Sequence, residues 1–264
     1  MSDSTPGSDS ATRRFSSRVE DYVKYRPSYP RALFDALERE CGLERPSVVA
    51  DVGSGTGIAA ALLLERGHRV YGVEPNGAMR EAAERLLAGE RNFVSVDGRA
   101  EATTLADDCV ELVFAAQAFH WFDRAACRRE FSRILRPGRS VALVWNDRSC
   151  DATPFLAAYE ELLRTLSVDY EQVNNRDVVS DATLAEFFAP DGFRALGFEN
   201  FQDFDCDGLF GRARSSSYVP ASGHPAHERF FSELARIYEL YAVDGIVRFE
   251  YTARLIWGRL ERTV

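Results

Sequence analysis

Short apolar segments alternate with helical patterns through the first part of the chain, and this alternation constrains the fold more than any other feature. The apolar segments begin near residues 48, 69, 92, 110 and 140, and amphipathic stretches separate most of them. Strands joined by helical crossovers run parallel, and right-handed crossovers place helices on both faces of the sheet. The sequence therefore predicts an α/β fold with a doubly wound, mainly parallel sheet.

The same patterns assign individual elements along the chain. Strands are expected at residues 48–52, 69–74, 92–97, 110–118 and 140–146, and helices at 29–42, 59–65, 77–87 and 124–135. Further on, residues 153–166 and 225–241 have helical spacing, and residues 198–205 and 246–257 resemble strands. We expect the last two segments to pair as an antiparallel extension at the edge of the sheet.

Composition and charge exclude several classes of protein. Of the 264 residues, 41 are acidic and 32 are basic, and the resulting net charge of −9 repels nucleic-acid phosphates. No apolar run approaches the ~18–20 residues of a membrane-spanning helix, and the polar start lacks the apolar core of a secretory signal. We therefore expect a cytoplasmic protein with neither a nucleic-acid nor a membrane partner, while its oligomeric state is not readable from the sequence.

Three residue types limit the available chemistry. Lys24 is the only lysine, and no glycine-rich loop precedes it, which argues against a phosphate-binding or Schiff-base lysine. The five cysteines form no C-x-x-C pair, and the four histidines have no metal-binding spacing. We therefore predict neither a disulfide framework nor a metal site.

The most informative segment is a glycine-rich turn between the first expected strand and its helix. It reads Asp51, Val52, Gly53, Ser54, Gly55, Thr56 and Gly57, and glycines let a ligand approach the backbone closely. Glu74 ends the second expected strand, about 20 residues further on, where an acid can accept hydrogen bonds from ribose hydroxyls. Together the two features predict a site for a nucleoside cofactor.

The glycine spacing and Asp51 favour one such cofactor. A dinucleotide fingerprint has the pattern G-x-G-x-x-G, whereas these glycines occupy positions 53, 55 and 57. The charge of Asp51 would repel a pyrophosphate, but it suits the amino group and sulfonium of S-adenosylmethionine (SAM). The turn therefore favours a nucleoside cofactor with a cationic end, such as SAM, over a dinucleotide.

Several motifs, in chain order, resemble those of the class I SAM-dependent methyltransferases. The glycine-rich turn resembles their motif I, and residues 73–76 with Met79 resemble their ribose-binding motif. Residues 98–101 are similar to the segment beside the adenine, residues 114–121 to the fourth-strand motif and residues 135–138 to the turn before strand five. Residues 22–30 resemble a leader of the small-molecule branch that includes trans-aconitate methyltransferases.

The resemblance implies a seven-stranded Rossmann-like methyltransferase fold with an antiparallel edge and a helical cap. We expect a flexible leader at residues 1–14 and a single domain over residues 15–264. Within that domain the cofactor-binding core spans about residues 43–147, and substrate-cap elements come from residues 15–42 and about 150–230.

The resemblance also implies roles for individual residues. The implied cofactor-binding residues are Asp51, Gly53, Ser54, Gly55, Glu74, Asn76, Met79, Ala100, Glu101 and Gln117, with Tyr22 and Arg26 as a lid. Arg26 then pairs either with the carboxylate of the cofactor or with an acidic substrate. Arg99 departs from the family, because many relatives carry an acid at its position.

The acceptor end is expected near the fourth strand, the leader and residues 150–230. His120 follows the fourth strand and is the candidate general base, and Tyr25, Trp121 and Trp145 are candidate substrate contacts. Further candidates are an aromatic lining from Phe155, Tyr159, Phe187, Phe188, Phe210 and Tyr218, and carboxylate binding by Arg212 or Arg214.

These observations predict methyl transfer from SAM to a small-molecule acceptor, with a carboxylate as a candidate, by in-line displacement. A nicotinamide-dependent oxidoreductase is the alternative enzyme, and the glycine spacing and Asp51 disfavour it. A non-catalytic module that binds an adenosyl ligand stays open, because an intact cofactor site does not prove turnover.

Overall fold

The strands of the molecule form one sheet within the residues that the computed structural model describes, 19–170 and 179–261. They are β1 (Val48–Val52), β2 (Arg69–Val73), β3 (Phe93–Val96), β4 (Val110–Ala116), β5 (Leu135–Arg148), β6 (Arg194–Phe204) and β7 (Val247–Arg259). The expected flexible leader at residues 1–14 lies outside the described residues.

Helices cover the sheet and extend beyond its outer edge. They are α1 (Val19–Tyr25), α2 (Arg31–Cys41), α3 (Ile58–Glu65), α4 (Gly77–Leu86), α5 (Arg124–Ile134), α6 (Pro154–Leu166), α7 (Asp181–Phe187), α8 (Cys206–Arg214) and α9 (His227–Tyr241), with a short 3₁₀ turn at Phe119–Trp121. The side chains of Asn76, Asp123 and Thr153 accept backbone hydrogen bonds at the starts of α4, α5 and α6, which fixes where these helices begin. Among the described residues, no helix combines the length and apolar character that crossing a bilayer requires.

The sheet has seven strands in the order β3-β2-β1-β4-β5-β7-β6. The five strands from β1 to β5 run parallel to one another, and β7 runs antiparallel to both β5 and β6. This arrangement confirms the predicted doubly wound sheet and its antiparallel extension. The chain proceeds outward from β1 in both directions, so a crevice opens at the carboxyl ends of β1 and β4, where α/β sheets bind ligands.

Large apolar side chains fill both faces of the sheet. On one face Phe34 of α2 packs against Phe114 of β4, with ring centroids 6.1 Å apart. On the other face Phe119 packs against Phe187 at 4.7 Å, and Phe131 of α5 is fully buried beside them. Burial from both sides explains why β4 is almost wholly apolar.

A third apolar cluster supports a cap, which we define as α6, α8 and α9. Phe249 of β7 lies at its centre, with the rings of Tyr159 and Phe155 at 4.9 and 5.3 Å. Helix α1 is joined to the cap, because the ring of Tyr25 lies where a Cβ on Gly211 of α8 would stand, only 2.0 Å away. This contact depends on Gly211 having no side chain.

Strand β5 differs from its expected form. The turn expected at residues 135–138 lies inside the strand, which begins at Leu135. Leu135 pairs with Val110 and Ser140 pairs with Leu112, so the residues between them bulge out of the ladder. Pro137 has no N–H to donate and Gly138 has a φ of +75°, so turn-forming residues produce a bulge without ending the strand.

Candidate active site

A cavity opens at the carboxyl ends of β1 and β4, below α1 and the cap. Residues singled out from the sequence line it, among them Tyr22, Arg26, Asp51, Gly53, Ser54, Gly55, Gln117, His120 and Trp121. They come from α1 and the residue after it, from the end of β1 and the turn that follows, and from the segment after β4. The structure therefore places residues expected at the methionine end of the cofactor beside His120 and Trp121, which were expected at the acceptor end.

The turn after β1 requires glycine at Gly53. Its φ is +71°, and a Cβ there would lie 2.6 Å from the Cβ of Ala118. Its N–H donates to the carbonyl of Val73 at 2.8 Å, which fastens the turn to the end of β2. The glycine thus keeps the backbone close to the segment after β4, where a side chain would force the two apart.

Asp51 is a buried carboxyl group at the floor of the cavity. It is 1% exposed, and apart from the backbone N–H of Ala60, which acts to lower its pKa, its carboxylate oxygens have no hydrogen-bond partner. Burial, together with the nearby charge of Glu74, raises the pKa of Asp51 to about 7. A buried acid with no charged partner is costly, and a cationic ligand would supply one.

Glu74 joins the turn after β1 to the start of α4. Its Oε2 accepts the N–H of Gly55 at 3.0 Å, and its Oε1 accepts the N–H of Asn76 at 2.9 Å. Burial raises the pKa of Glu74, although these two hydrogen bonds act in the opposite direction. Each oxygen keeps lone pairs that can accept hydrogen bonds from a ligand's hydroxyl groups.

Glu74 and the other expected ribose and adenine contacts are not among the residues that line the cavity described above. Met79 is 4% exposed, and its N–H donates to Oδ1 of Asn76 at 3.2 Å. Ala100 is buried, and Oε1 of Glu101 accepts the N–H of Asp123 at 2.9 Å. The roles of these residues in binding the nucleoside stay predictions.

The segment after β4 forms the opposite wall. Gln117 has a φ of +55°, and its N–H donates to the carbonyl of Val144 at 2.8 Å. The Nδ1 atom of His120 is buried and has no hydrogen-bond partner, and burial lowers the pKa of His120 to about 4. His120 is therefore neutral at physiological pH, and its ring lies 4.9 Å from that of Trp121.

Two expected substrate contacts are placed differently. Trp145 is 5% exposed and packs against Phe119 at 6.3 Å, because alternate residues of a strand face opposite sides. Its neighbour Asn146 lines the cavity in its place. Tyr25 packs into the space over Gly211 and is not among the lining residues. Both residues lie outside the lining of this cavity, and their role as substrate contacts stays a prediction.

Of the further candidates for the acceptor end, Tyr218 and Arg212 line the cavity. Phe155, Tyr159, Phe187 and Phe188 belong to the apolar clusters instead. Phe210 also packs in the cap, with its ring 5.4 Å from that of Phe231. Arg214 is exposed and lies 3.4 Å from Asp21.

The sequence analysis missed several lining residues, among them Arg148, Tyr170 and Tyr251. Arg148 ends β5 and pairs with Glu160 of α6, and Tyr170 donates to the same carboxylate at 2.8 Å. No spacing in the sequence signals these residues, because they come from different elements that meet only in the folded chain.

The donors and acceptors around the cavity fit SAM. The buried carboxylate of Asp51 suits an ammonium group, the open space beside Gly55, where no atom lies within 4 Å of an added Cβ, allows close approach, and Glu74 offers acceptors for a ribose. The parallel sheet, its helices and this site together define a Rossmann-like methyltransferase fold.

Comparisons with known proteins agree with a methyltransferase fold. A family model described as a methyltransferase domain matches residues 50–143. Uncharacterized methyltransferases of Mycobacterium tuberculosis and Mycobacterium bovis are 40% identical over 134 residues, which is 51% of this chain and 52% of each relative. The chain thus spans about half the length of these relatives.

Two further similarities extend over more of the chain. An uncharacterized methyltransferase of Geobacillus kaustophilus is 30% identical over 183 residues, which is 67% of this chain and 82% of that protein. A solved structure of a candidate type II methyltransferase from Anaeromyxobacter dehalogenans has a TM-score of 0.66 and 25% identity, and covers 89% of this chain and 98% of that one. The chain belongs to the methyltransferase family.

Proposed function

We propose that the chain transfers the methyl group of SAM to a small carboxylic acid. The observation that carries the proposal is the juxtaposition, on one cavity, of a buried acid, Asp51, and a glycine turn with two lining arginines, Arg26 and Arg212. The acid suits the cationic end of SAM, and the arginines suit an anionic acceptor.

Different residues of the chain bind different groups of SAM. Asp51 accepts the ammonium group, Glu74 accepts the ribose hydroxyls, and the backbone at Gly53 and Gly55 allows close approach. When bound, SAM supplies an activated methyl group, so that a C–O bond forms to the acceptor while the C–S bond breaks and its electron pair stays on sulfur. The protein then has to align the acceptor and exclude water.

A small acceptor is supported by the cover over the cavity. Tyr22 and Arg26 reach it from the α1 side, and Arg212 and Tyr218 reach it from the cap side. Arg26 Nη2 donates to the carbonyl of Ser215 at 2.9 Å, which joins the two sides above the site. A macromolecular acceptor would have to separate them.

A carboxylate acceptor also agrees with the weak basicity of His120. A hydroxyl or amine acceptor has to lose a proton, which requires a base with a pKa near the working pH. The pKa of His120 is lowered to about 4 by burial, which makes it a weak base. A carboxylate is already ionised above about pH 5 and requires no base.

Titration calorimetry with SAM, S-adenosylhomocysteine (SAH) and NADH in parallel tests the cofactor. We expect micromolar binding of SAM and SAH and no binding of NADH. Methyl-ester formation should then be screened with small carboxylic acids, alongside alcohols and amines of the same carbon skeleton. Binding of NADH alone would support an oxidoreductase, and adenosyl binding without transfer to any acceptor would support a non-catalytic module.

A further inference from the structure

The segment 26–30, which follows α1, covers the cavity but forms neither a helix nor a strand. Arg26, Pro27 and Tyr29 line the cavity. Pro27 and Pro30 have no N–H, so the segment has few backbone donors with which to bond to itself. Its carbonyl groups still require hydrogen-bond partners. The position of this segment therefore depends on donors from other parts of the chain.

Two amide side chains of β6 supply such donors. Nδ2 of Asn200 donates to the carbonyl of Ser28 at 2.8 Å, and Nε2 of Gln202 donates to the carbonyl of Tyr25 at 3.2 Å. Tyr25 is the last residue of α1, where carbonyls have no partner within the helix. Asn200 and Gln202 are two positions apart on one strand, so they face the same side of the sheet. They therefore hold the chain on both sides of Arg26.

The same amides are hydrogen-bonded to residues of the cavity wall. Nδ2 of Asn200 also donates to Oδ1 of Asn146 at 2.9 Å, and the hydroxyl of Tyr251 donates to Oε1 of Gln202 at 3.0 Å. Asn146 and Tyr251 line the cavity, whereas Asn200 and Gln202 are not among the described residues that do. Asn146 itself donates to the carbonyl of Ser28 at 3.2 Å. The network thus joins the wall of the cavity to the segment above it.

An amide is the kind of side chain that this arrangement requires. Its NH₂ group donates and its oxygen accepts. Gln202 uses both functions, since it donates to the carbonyl of Tyr25 and accepts from the hydroxyl of Tyr251. An ionised carboxylate could only accept, and an apolar side chain could do neither. Replacing the amide therefore breaks the connection while the backbone pairing of β6 with β7 is kept.

We propose that Asn200 and Gln202 are positioning residues, which hold the segment 26–30 over the cavity and thereby slow the release of the cofactor. This inference rests on the proposed function. Each amide acts through the lining residues Arg26 and Pro27 and not by contact with the cofactor. Most changes in affinity that a mutation causes appear in the dissociation rate. The effect of losing either amide is therefore expected in the dissociation rate of the cofactor.

Surface plasmon resonance with the immobilised protein and SAH measures this rate. We expect Asn200→Leu and Gln202→Met each to release SAH about 3–10-fold faster than the parent, as the loss of one or two hydrogen bonds implies. The association rate should change by less than about twofold. Glu199→Leu is the matched control, because Glu199 lies between the two amides on β6, is exposed and faces the opposite side of the sheet.

Two conservative variants separate hydrogen bonding from the filling of space. Gln202→Glu keeps the size of the side chain and the acceptor for Tyr251 but loses the N–H donors. It should release SAH as fast as Gln202→Met. Asn200→Gln retains the amide and should release SAH more slowly than Asn200→Leu. These two variants also serve if an apolar replacement prevents folding.

Proteolysis shows whether the effect passes through α1. Lys24 is the only lysine and directly precedes Tyr25, so endoproteinase Lys-C reports on the release of this helix. Cleavage of the ligand-free protein should be about 3–10-fold faster in Asn200→Leu and Gln202→Met, and unchanged in Glu199→Leu. The midpoint of denaturant unfolding should stay near that of the parent, because the pairing of β6 with β7 is kept.

Release of SAH at the parent rate in both amide variants would overturn the proposal. Faster release without faster cleavage at Lys24 would also overturn it, since the amides would then not act through the segment 26–30. A lower unfolding midpoint with an unchanged release rate would assign them a purely structural role. Failure of the parent protein to bind SAH would instead remove the proposed function, and cleavage at Lys24 would still test whether the amides hold the segment.

Discussion

The N–H of Gly55 donates to Oε2 of Glu74 at 3.0 Å, so the turn after β1 and the end of β2 are joined by the same carboxylate that is expected to hold a ribose. The other oxygen of Glu74 accepts the N–H of Asn76 at 2.9 Å. One side chain thus sets the shape of the glycine turn, fixes the start of α4 and leaves acceptors for a ligand.

Replacing Glu74 should weaken cofactor binding more than it weakens the fold. We expect Glu74→Ala to cost about 1.5–3 kcal/mol in SAM or SAH binding, the range for hydrogen bonds to a charged group. Glu74→Gln keeps one acceptor and should lose less. Calorimetric titration measures both, and full affinity in Glu74→Ala would remove Glu74 from the cofactor site.

A methyl group at Gly53 should disrupt the turn. In Gly53→Ala the new Cβ would lie 2.6 Å from that of Ala118, at a φ of +71°. We expect a loss of about 1–3 kcal/mol in stability and a larger loss in SAH affinity, because the turn must move toward the ligand. Gly67→Ala is the control for backbone strain alone, since its φ is +88° and no atom lies within 4 Å of its Cβ. Equal effects of the two variants would contradict a specific role for Gly53.

The sheet could be predicted from the sequence because its signals are local. The apolar run at residues 48–52 predicted both ends of β1 correctly, because a strand that is buried on both faces is a continuous apolar segment. The proximity of Asp51 and Glu74 followed from the rule that neighbouring parallel strands end at the same edge. Strand β5 was harder, because Pro137 and Gly138 predict a turn and only the pairing with β4 shows that they form a bulge.

The acceptor end could not be predicted in the same way. Arg26 and the carbonyl of Ser215 are hydrogen-bonded although they are 189 positions apart in the chain, and no periodicity connects them. Trp145 shows a related difficulty, because a buried strand has apolar residues on both faces and the sequence does not tell which face meets the cavity. Both features depend on how α1 and the cap pack over the sheet.

The packing of Tyr25 on Gly211 should hold α1 against the cap. In Gly211→Ala the new Cβ would overlap the ring of Tyr25, at a distance of 2.0 Å in the parent structure. Lys24, the only lysine, lies in α1, so endoproteinase Lys-C cuts at this helix alone. We expect cleavage of Gly211→Ala to be at least ~10-fold faster than that of the parent. This factor corresponds to a loss of about 1.4 kcal/mol in the free energy that holds α1 against the cap.

Two further variants test whether the overlap between Tyr25 and the added Cβ at position 211 causes the faster cleavage. Gly89→Ala should leave cleavage unchanged, because no atom lies within 4 Å of its added Cβ. The double variant with Tyr25→Ala should be cut no faster than Tyr25→Ala alone, since the overlapping ring is then absent. Cleavage of Gly211→Ala at the parent rate would mean that α1 is held by other contacts.

His120 should contribute to the pH dependence of stability under acid conditions. Burial lowers its pKa from 6.5 to about 4, so the unfolded chain binds more protons than the native one between these values. The free energy of unfolding should therefore fall by on the order of 2 kcal/mol as the pH drops from 6.5 to 4. His120→Asn should remove this part of the pH dependence in denaturant titrations, whereas the exposed His224→Asn should retain it.

Asp51 should have the opposite effect and should link stability to cofactor binding. Its pKa is raised from 3.8 to about 7, so the native state holds a proton that the unfolded state has lost between these values. The free energy of unfolding without ligand should therefore decrease as the pH rises from 3.8 to about 7, by on the order of a few kcal/mol, and then level off. Asp51→Asn should abolish this decrease, while Asp191→Asn, an exposed aspartate outside the cavity, should not.

Bound SAM should offset the loss of stability that accompanies ionisation of Asp51, because the positive charges of SAM favour the ionised form of this residue. We expect SAM affinity to increase as the pH rises from 5 toward about 7, and the increase in Tm on adding SAM to grow over the same interval. Thermal unfolding of the parent and Asp51→Asn proteins, with and without SAM, measures both effects. Asp51→Asn should bind SAM weakly and without this pH dependence. If the pH dependence of SAM binding is unchanged in Asp51→Asn, a group other than Asp51 is titrating. Asp51 is expected to be that group because an acid that faces a bound cation is stabilised when it loses its proton.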